Sequence, residues 1–233
     1  NWTFNAAVGR YHQFIVKNSI IDDFENFLYV WNLADDNVIP VLSATHSTAS
    51  LLFHQPNFKF QLEGFYKNID NISIYRLDVN TDKLTQSRGD SRILGLDVYL
   101  KTNIKKHEFS TTYTLSKTLE YFSHFTAKHY QLAPHNQTHE LKTAAVFNFS
   151  PIYFSTNYVY GSGLQLTENA RNNGRLVPYK RLDMAVLYRL QLKKTKLDIS
   201  FSVLNLWDNA NVKLNEFINL PDEEIVYSEA MRR

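Results

Sequence analysis

Alternation of apolar and polar residues at a period of two recurs along this chain, and it dictates β-strands with one greasy and one wet face. In residues 93–101, Leu94, Leu96, Val98 and Leu100 alternate with Gly95, Asp97, Tyr99 and Lys101. Residues 108–116 set Phe109, Tyr113 and Leu115 against Glu108, Ser110, Thr112, Thr114 and Ser116. The clearest case is 181–192, where Leu182, Met184, Val186, Tyr188, Leu190 and Leu192 interleave with Arg181, Asp183, Ala185, Leu187, Arg189 and Gln191. Residues 197–203 do the same with Leu197, Ile199, Phe201 and Val203. Less regular strands are predicted at 2–9, 47–54, 57–68, 139–149 and 152–163, about nine in all, and helical spacing is sustained nowhere.

The connections alternate in strict order between short and long. Tight turns fall at 54–57, 103–107, 150–151 and 193–196, and the long links at 10–46, 69–91, 117–138 and 164–178. In an up-and-down antiparallel sheet, that order puts every short turn on one rim and every long link on the other, as in an outer-membrane barrel whose short side faces the periplasm. The rival is a soluble sandwich whose greasy face packs on a second sheet. Its strands are usually ~5–6 residues long, and it has no reason to sort loops by rim. Mid-strand Arg, Asp, Glu and Lys on the polar faces also favour a hydrated lumen. The expected fold is therefore all-β, an antiparallel up-and-down transmembrane β-barrel.

Composition adds exclusions. Aromatics are 14% of the chain, enough for two interfacial girdles. No run approaches the ~20 apolar residues of a spanning helix. The absence of cysteine excludes disulfides, thiolate metal sites and Cys nucleophiles. A net charge of +2 favours no polyanion, and no nucleic-acid partner is expected.

Several strings resemble the C-terminal half of TonB-dependent receptor barrels. They are Gly9-Arg10-Tyr11-His12-Gln13, Glu63-Gly64-Phe65-Tyr66-Lys67 with Asn68-Ile69-Asp70-Asn71, Ser91 to Leu96, Tyr113 to Ser116, Pro134 with His139, and Tyr160-Gly161-Ser162-Gly163. Tyr179 to Asp183, then Leu204-Asn205-Leu206-Trp207-Asp208 and Asn211, resemble the family's penultimate-strand signatures. The resemblance implies a barrel of about twenty-two strands, of which residues 1–233 would supply about nine or ten as one incomplete domain. The family's plug, TonB box and last strand have no counterpart in it. The resemblance further implies energy-coupled import of a scarce nutrient across the bacterial outer membrane: an iron chelate, a glycan, a peptide or a vitamin. Expected partners are outer-membrane lipid, the TonB-ExbB-ExbD system acting through the plug, and a surface substrate-binding lipoprotein. A passive or structural barrel without a plug is the alternative.

On that reading Asp97, Lys101, Glu108, Arg181, Asp183, Arg189 and Asp198 face the lumen, pair across strands and hold the plug, although any single one could be only a hydrated interior side chain. Tyr11, Phe14, Phe24, Phe27, Tyr29, Trp31, Tyr121, Phe122, Phe125 and Tyr130 fall in the long links. They either stack on a solute or, as is favoured, form the outer girdle and pack loops. His124, His129, His135 and His139 share one link, with spacings that match no compact metal motif, so no metal and no cofactor are assigned. The substrate-contact candidates are Tyr11, Trp31, Tyr121, His124, His129 and Tyr130. Arg88-Gly89-Asp90 is a three-residue coincidence, Gly161-Ser162-Gly163 precedes no helix that would make a phosphate loop, and no catalytic signature occurs. No enzyme activity is expected.

Overall fold

The structure, a computed structural model, describes residues 1–21, 27–35, 39–78, 83–123, 128–133, 135–164, 175–219 and 224–231. In chain order the strands are β1 (Trp2–Gln13), β2 (Ile15–Ile21), β3 (Phe27–Leu33), β4 (Leu42–Gln55), β5 (Phe58–Asp78), β6 (Lys83–Ile104) and β7 (His107–Phe122). They continue as β8 (Gln131–Leu132), β9 (His139–Phe149), β10 (Ile152–Gly161), β11 (Tyr179–Gln191), β12 (Lys196–Val203), β13 (Asn211–Asn219) and β14 (Glu224–Met231). No helix occurs among the described residues. One antiparallel sheet runs β1-β4-β5-β6-β7-β9-β10-β11-β12, with β8 beside β7, while β2-β3 and β13-β14 are separate hairpins. The sheet does not close on itself; β1 and β12 are its edges.

The register carries the alternation from strand to strand. One row crosses the sheet as Phe4, Leu51, Leu62, Val98, Tyr113 and Leu141, while the adjacent row reads Asn5, Ser50, Glu63, Asp97, Thr114 and Glu140. Directly opposed residues lie on the same face, so one face of the whole sheet is apolar and the other polar. The apolar face continues through Phe147↔Phe154, Phe154↔Val186 and Val186↔Phe201.

Among the described residues, no second layer packs on that apolar face. The buried hydrophobic side chains among the described residues are only Ala44, Phe122, Ala133 and Ala145, whereas Phe4 is 70% exposed, Val8 78% and Phe201 71%. A soluble monomer rarely shows a contiguous apolar patch beyond about 300–600 Å². A sheet this long with an uncovered greasy face calls for hydrocarbon as its solvent. Rings gather in two bands on it. Trp2–Phe53 (4.7 Å), Phe109–Phe147 (5.5 Å) and Phe147–Phe154 (5.9 Å) lie toward the short-turn rim. Tyr121–Tyr130 (5.9 Å) and Tyr158–Trp207 (5.6 Å) lie toward the other, the two-girdle arrangement of a membrane barrel, with Tyr113–His139 (6.2 Å) between the bands.

The short connections, 56–57, 105–106, 150–151 and 192–195, share one rim, and the links after β1, β7 and β10 share the other. All nine strands expected from the sequence are present. The links are more ordered than expected, however. Residues 69–91 are mostly strand, because β5 and β6 pair out to Asp78↔Lys83. The pairing shifts by one residue between Ile69 and Ile72, where Asn71 takes a positive φ of 67°. The shift carries the even positions of β5 from the apolar face, where Phe60, Leu62 and Tyr66 lie, to the polar face from Ile72 on, opposite Gly89, so one period no longer describes the whole strand. The 10–46 link likewise contains the β2-β3 hairpin.

Candidate functional site

The polar face is built from charge ladders that the pleat sets in register. Arg189 stands opposite Asp198 and forms a two-point contact with it, Nε to Oδ1 at 2.9 Å and Nη2 to Oδ2 at 2.8 Å. Lys101 Nζ lies 2.9 Å from Glu108 Oε2 on the neighbouring strand. Arg181 and Asp183 pair at 2.8 Å along one strand rather than across two, because they are two residues apart on the same face. The Asp97 carboxylate accepts the Thr114 hydroxyl hydrogen bond from β7. All seven residues therefore lie on one face. Sequence reasoning passed over Lys59 and Glu63 on β5, opposite Lys101 and Asp97. Like charges meet in both pairs, which is unfavourable without a counter-charge. The register of β5 against β6 is the signal that identifies them, and the strand's weaker alternation concealed it.

The rim of long links carries two cavities. One, of about 420 Å³, is lined by Gln137, Glu140, Val159, Gly161, Ser162 and Tyr179, among others. Its floor is a hydrogen-bonded knot: His139 N donates to Ser162 Oγ (3.0 Å), Gln137 Nε2 to Ser162 O (3.2 Å) and Arg175 Nη2 to Thr138 Oγ1 (2.7 Å). A Cβ on Gly163 would collide with the Leu176 carbonyl, so the backbones meet there only because residue 163 is glycine. The second cavity, of about 670 Å³, lies at the ends of β1, β4 and β5, lined by Tyr11, Phe14, Leu42, Ala44, His46 and Lys67, among others.

The expected contact residues are dispersed. Tyr11 lines the larger cavity. Trp31 is exposed on β3 of the separate hairpin. Tyr121 and Tyr130 pack on each other, and the Arg92 guanidinium lies 4.2 Å from the Tyr130 ring centre, so this cluster continues the outer aromatic band on the apolar face. His129 is exposed, and His124 lies outside the described residues. His135 Nε2 is 3.8 Å from Glu120 Oε1, beyond the bilayer-height part of β7. Burial pushes the Glu120 carboxyl above the usual carboxylate range, and the His135 charge partly offsets this. His139 Nδ1 is 2.8 Å from the Tyr113 hydroxyl. Among the described residues, no group of three or more His, Asp or Glu side chains converges as a metal site.

Leu204 to Asn211 forms a clasp over the end of β11. Asn205 (φ 51°) and Asp208 (φ 48°) take left-handed conformations, and Asp183 Oδ1 accepts the Asn205 N–H at 2.8 Å. The paired part of β12 stops at Val203, opposite Met184, leaving the Lys180 backbone without a strand neighbour on that side. Asn211 replaces it, accepting the Lys180 N–H at 2.8 Å and donating to the Lys180 carbonyl at 2.9 Å.

An open antiparallel sheet with an uncovered apolar face, a polar face of paired charges, short turns on one rim and long links on the other is a section of an outer-membrane-type β-barrel wall. Residues 43–206 match the family described as TonB dependent receptor-like, beta-barrel, and the chain belongs to that family. No curated protein matches it. The family is one of bacterial outer-membrane receptors and transporters rather than enzymes, working with the TonB system.

Proposed function

We propose that residues 1–233 form part of the wall of one energy-coupled importer that captures a scarce nutrient at its outer rim and passes it through the lumen. The observation that carries this is the separation of faces across nine strands in register, together with the sorting of links to one rim. The polar face is then the lumen, where Asp97, Lys101, Glu108, Arg181, Asp183, Arg189 and Asp198 offer charge to a plug. The opposed pair Glu63–Asp97 suits such a role, since a plug side chain of positive charge would relieve it, whereas Lys101 already has Glu108 beside it. The edges β1 and β12 present unpaired backbone groups, which hydrocarbon does not tolerate, and this supports a larger closed barrel. Of the expected contact residues, Tyr11, Trp31, His124 and His129 are the proposed solute contacts, Tyr121 and Tyr130 belonging to the outer aromatic band, and the solute is an iron chelate, a glycan, a peptide or a vitamin. A surface lipoprotein that delivers the solute is the proposed partner at the rim.

Uptake by the full receptor in intact cells, energised and then treated with a protonophore, tests this. Solute accumulation against a gradient, lost on de-energisation, is expected. Entry unaffected by the protonophore, down a gradient only, would instead mean a passive barrel.

A further inference from the structure

We infer that the cavity at the outer ends of β1, β4 and β5 is a subsite for an anionic group, a carboxylate or a phosphate, carried by the imported solute. The inference rests on the import reading and deepens it. Gly9 of β1 stands opposite His46 of β4, which stands opposite Lys67 of β5, so the three positions form one row on the polar face. Gly9 has no side chain to fill its place. Tyr11 fills it: a Cβ on Gly9 would lie 2.6 Å from the Tyr11 hydroxyl oxygen and 2.9 Å from its ring carbons. The row therefore presents a phenol hydroxyl, an imidazole and an ammonium group side by side, and Tyr11, His46 and Lys67 all line the same cavity of about 670 Å³.

The electrostatics of this row are one-sided. Among the described residues, none of these three side chains has a hydrogen bond or ion pair. Their neighbours on the same face are Ala44 and Thr48 on β4, Phe65 and Ile69 on β5, and Ile93 opposite Lys67 on β6, all uncharged. The nearest carboxylates on that face of these strands are Glu63 and Asp97, four residues further in. That is about 13 Å along the strand, beyond the ~8 Å over which charges act at physiological ionic strength. Asp70 lies on the opposite face, engaged by Asn68 Nδ2 at 2.7 Å. An ammonium group without an ion-pair partner among the described residues, next to an imidazole and a hydroxyl donor, offers an oxyanion charge-assisted hydrogen bonds. Phe14 and Leu42 form an apolar wall that suits the carbon skeleton behind such a group.

The test is isothermal titration of the full receptor in detergent with citrate, with inorganic phosphate and with glucose as the neutral control. Saturable binding of citrate or phosphate but not glucose is expected, weakened about tenfold or more by Lys67→Gln. His46→Gln should weaken it less, and Lys67→Arg should restore it. Citrate binding without phosphate binding would assign the subsite to carboxylates, and the reverse to phosphates. Binding of neither anion to the wild type, or equal binding to Lys67→Gln, overturns the subsite. Protonophore-sensitive uptake measured on the same variants separates the two claims. If uptake stays energy-dependent while anion binding is absent, only the subsite fails; if wild-type uptake is energy-independent, the import reading fails.

Discussion

Asn211 carries more than its position at the start of β13 suggests. It is 6% exposed, and its carboxamide mimics a peptide group, giving the Lys180 backbone the acceptor and donor that a neighbouring strand would supply. Asn209 Nδ2 also reaches the Lys180 carbonyl, at 3.1 Å, but nothing else accepts the Lys180 N–H among the described residues. Asn211→Ala should therefore cost about 1 kcal/mol, the usual net worth of a part-buried hydrogen bond. Asn211→Asp keeps the acceptor for the Lys180 N–H but sets a second carboxylate oxygen against the Lys180 carbonyl, so it should protect the Lys180 amide better than Asn211→Ala without restoring the lost stability. Hydrogen exchange at the Lys180 amide reads the difference directly; equal protection in both variants would contradict this role. The motif around Asn211 was visible in the sequence as a family signature, but its purpose was not. That purpose depends on β12 ending its pairing opposite Met184, and no local pattern announces where pairing stops.

At the level of elements, alternation exposed every strand whose two faces meet different solvents at constant phase. It failed where the phase changes. Beyond Asn71 the even positions, such as Ile72, lie on the polar face instead of the apolar one, so the outer half of β5 read as a link although it pairs with β6. The bulge depends on a left-handed residue whose N–H reaches Asp90 Oδ1 (3.3 Å) and whose side chain donates to the Val41 carbonyl (3.1 Å). Asn tolerates that conformation, while an ordinary L-residue loses roughly 1–2 kcal/mol there. Asn71→Ala should thus destabilise the outward extension of the β5-β6 hairpin by about that amount, whereas Asn71→Gly, which keeps the backbone freedom, should lose little beyond one hydrogen bond. Rates of proteolysis between Ile72 and Gly89 on the intact receptor test the order. Faster cleavage of the Gly variant than of the Ala variant would show that backbone strain is not what sets this bulge. The candidate site was legible only in part for a related reason. Charges on regular strands were assigned to one face, but His46 and Lys67 acquire meaning only through cross-strand register with Gly9.

For the whole molecule the decisive quantity is the solvent on each side of the sheet, and neighbouring residues of one strand can report it at equal depth. Val98 and Asp97 occupy the middle of the membrane-crossing part of β6, on the apolar and polar faces. An arginine on the lipid face near the bilayer midplane costs about 2–4 kcal/mol, because it must be dragged toward an interface or hydrated by a local defect. Val98→Arg should therefore lower the stability of the receptor, refolded into lipid vesicles from denaturant, by that amount. Asp97→Asn changes a charge at the same height but leaves the Thr114 hydroxyl an acceptor, so it should cost well under half as much. If the polar face instead packed on protein and the apolar face met water, the order would invert, since Val98→Arg would be solvated freely and Asp97→Asn would disturb a packed contact. Similar costs for the two would mean that the faces do not meet different solvents. Because both substitutions sit at one depth on one strand, differences in local strand stability cancel, and the comparison isolates the solvent each side chain meets.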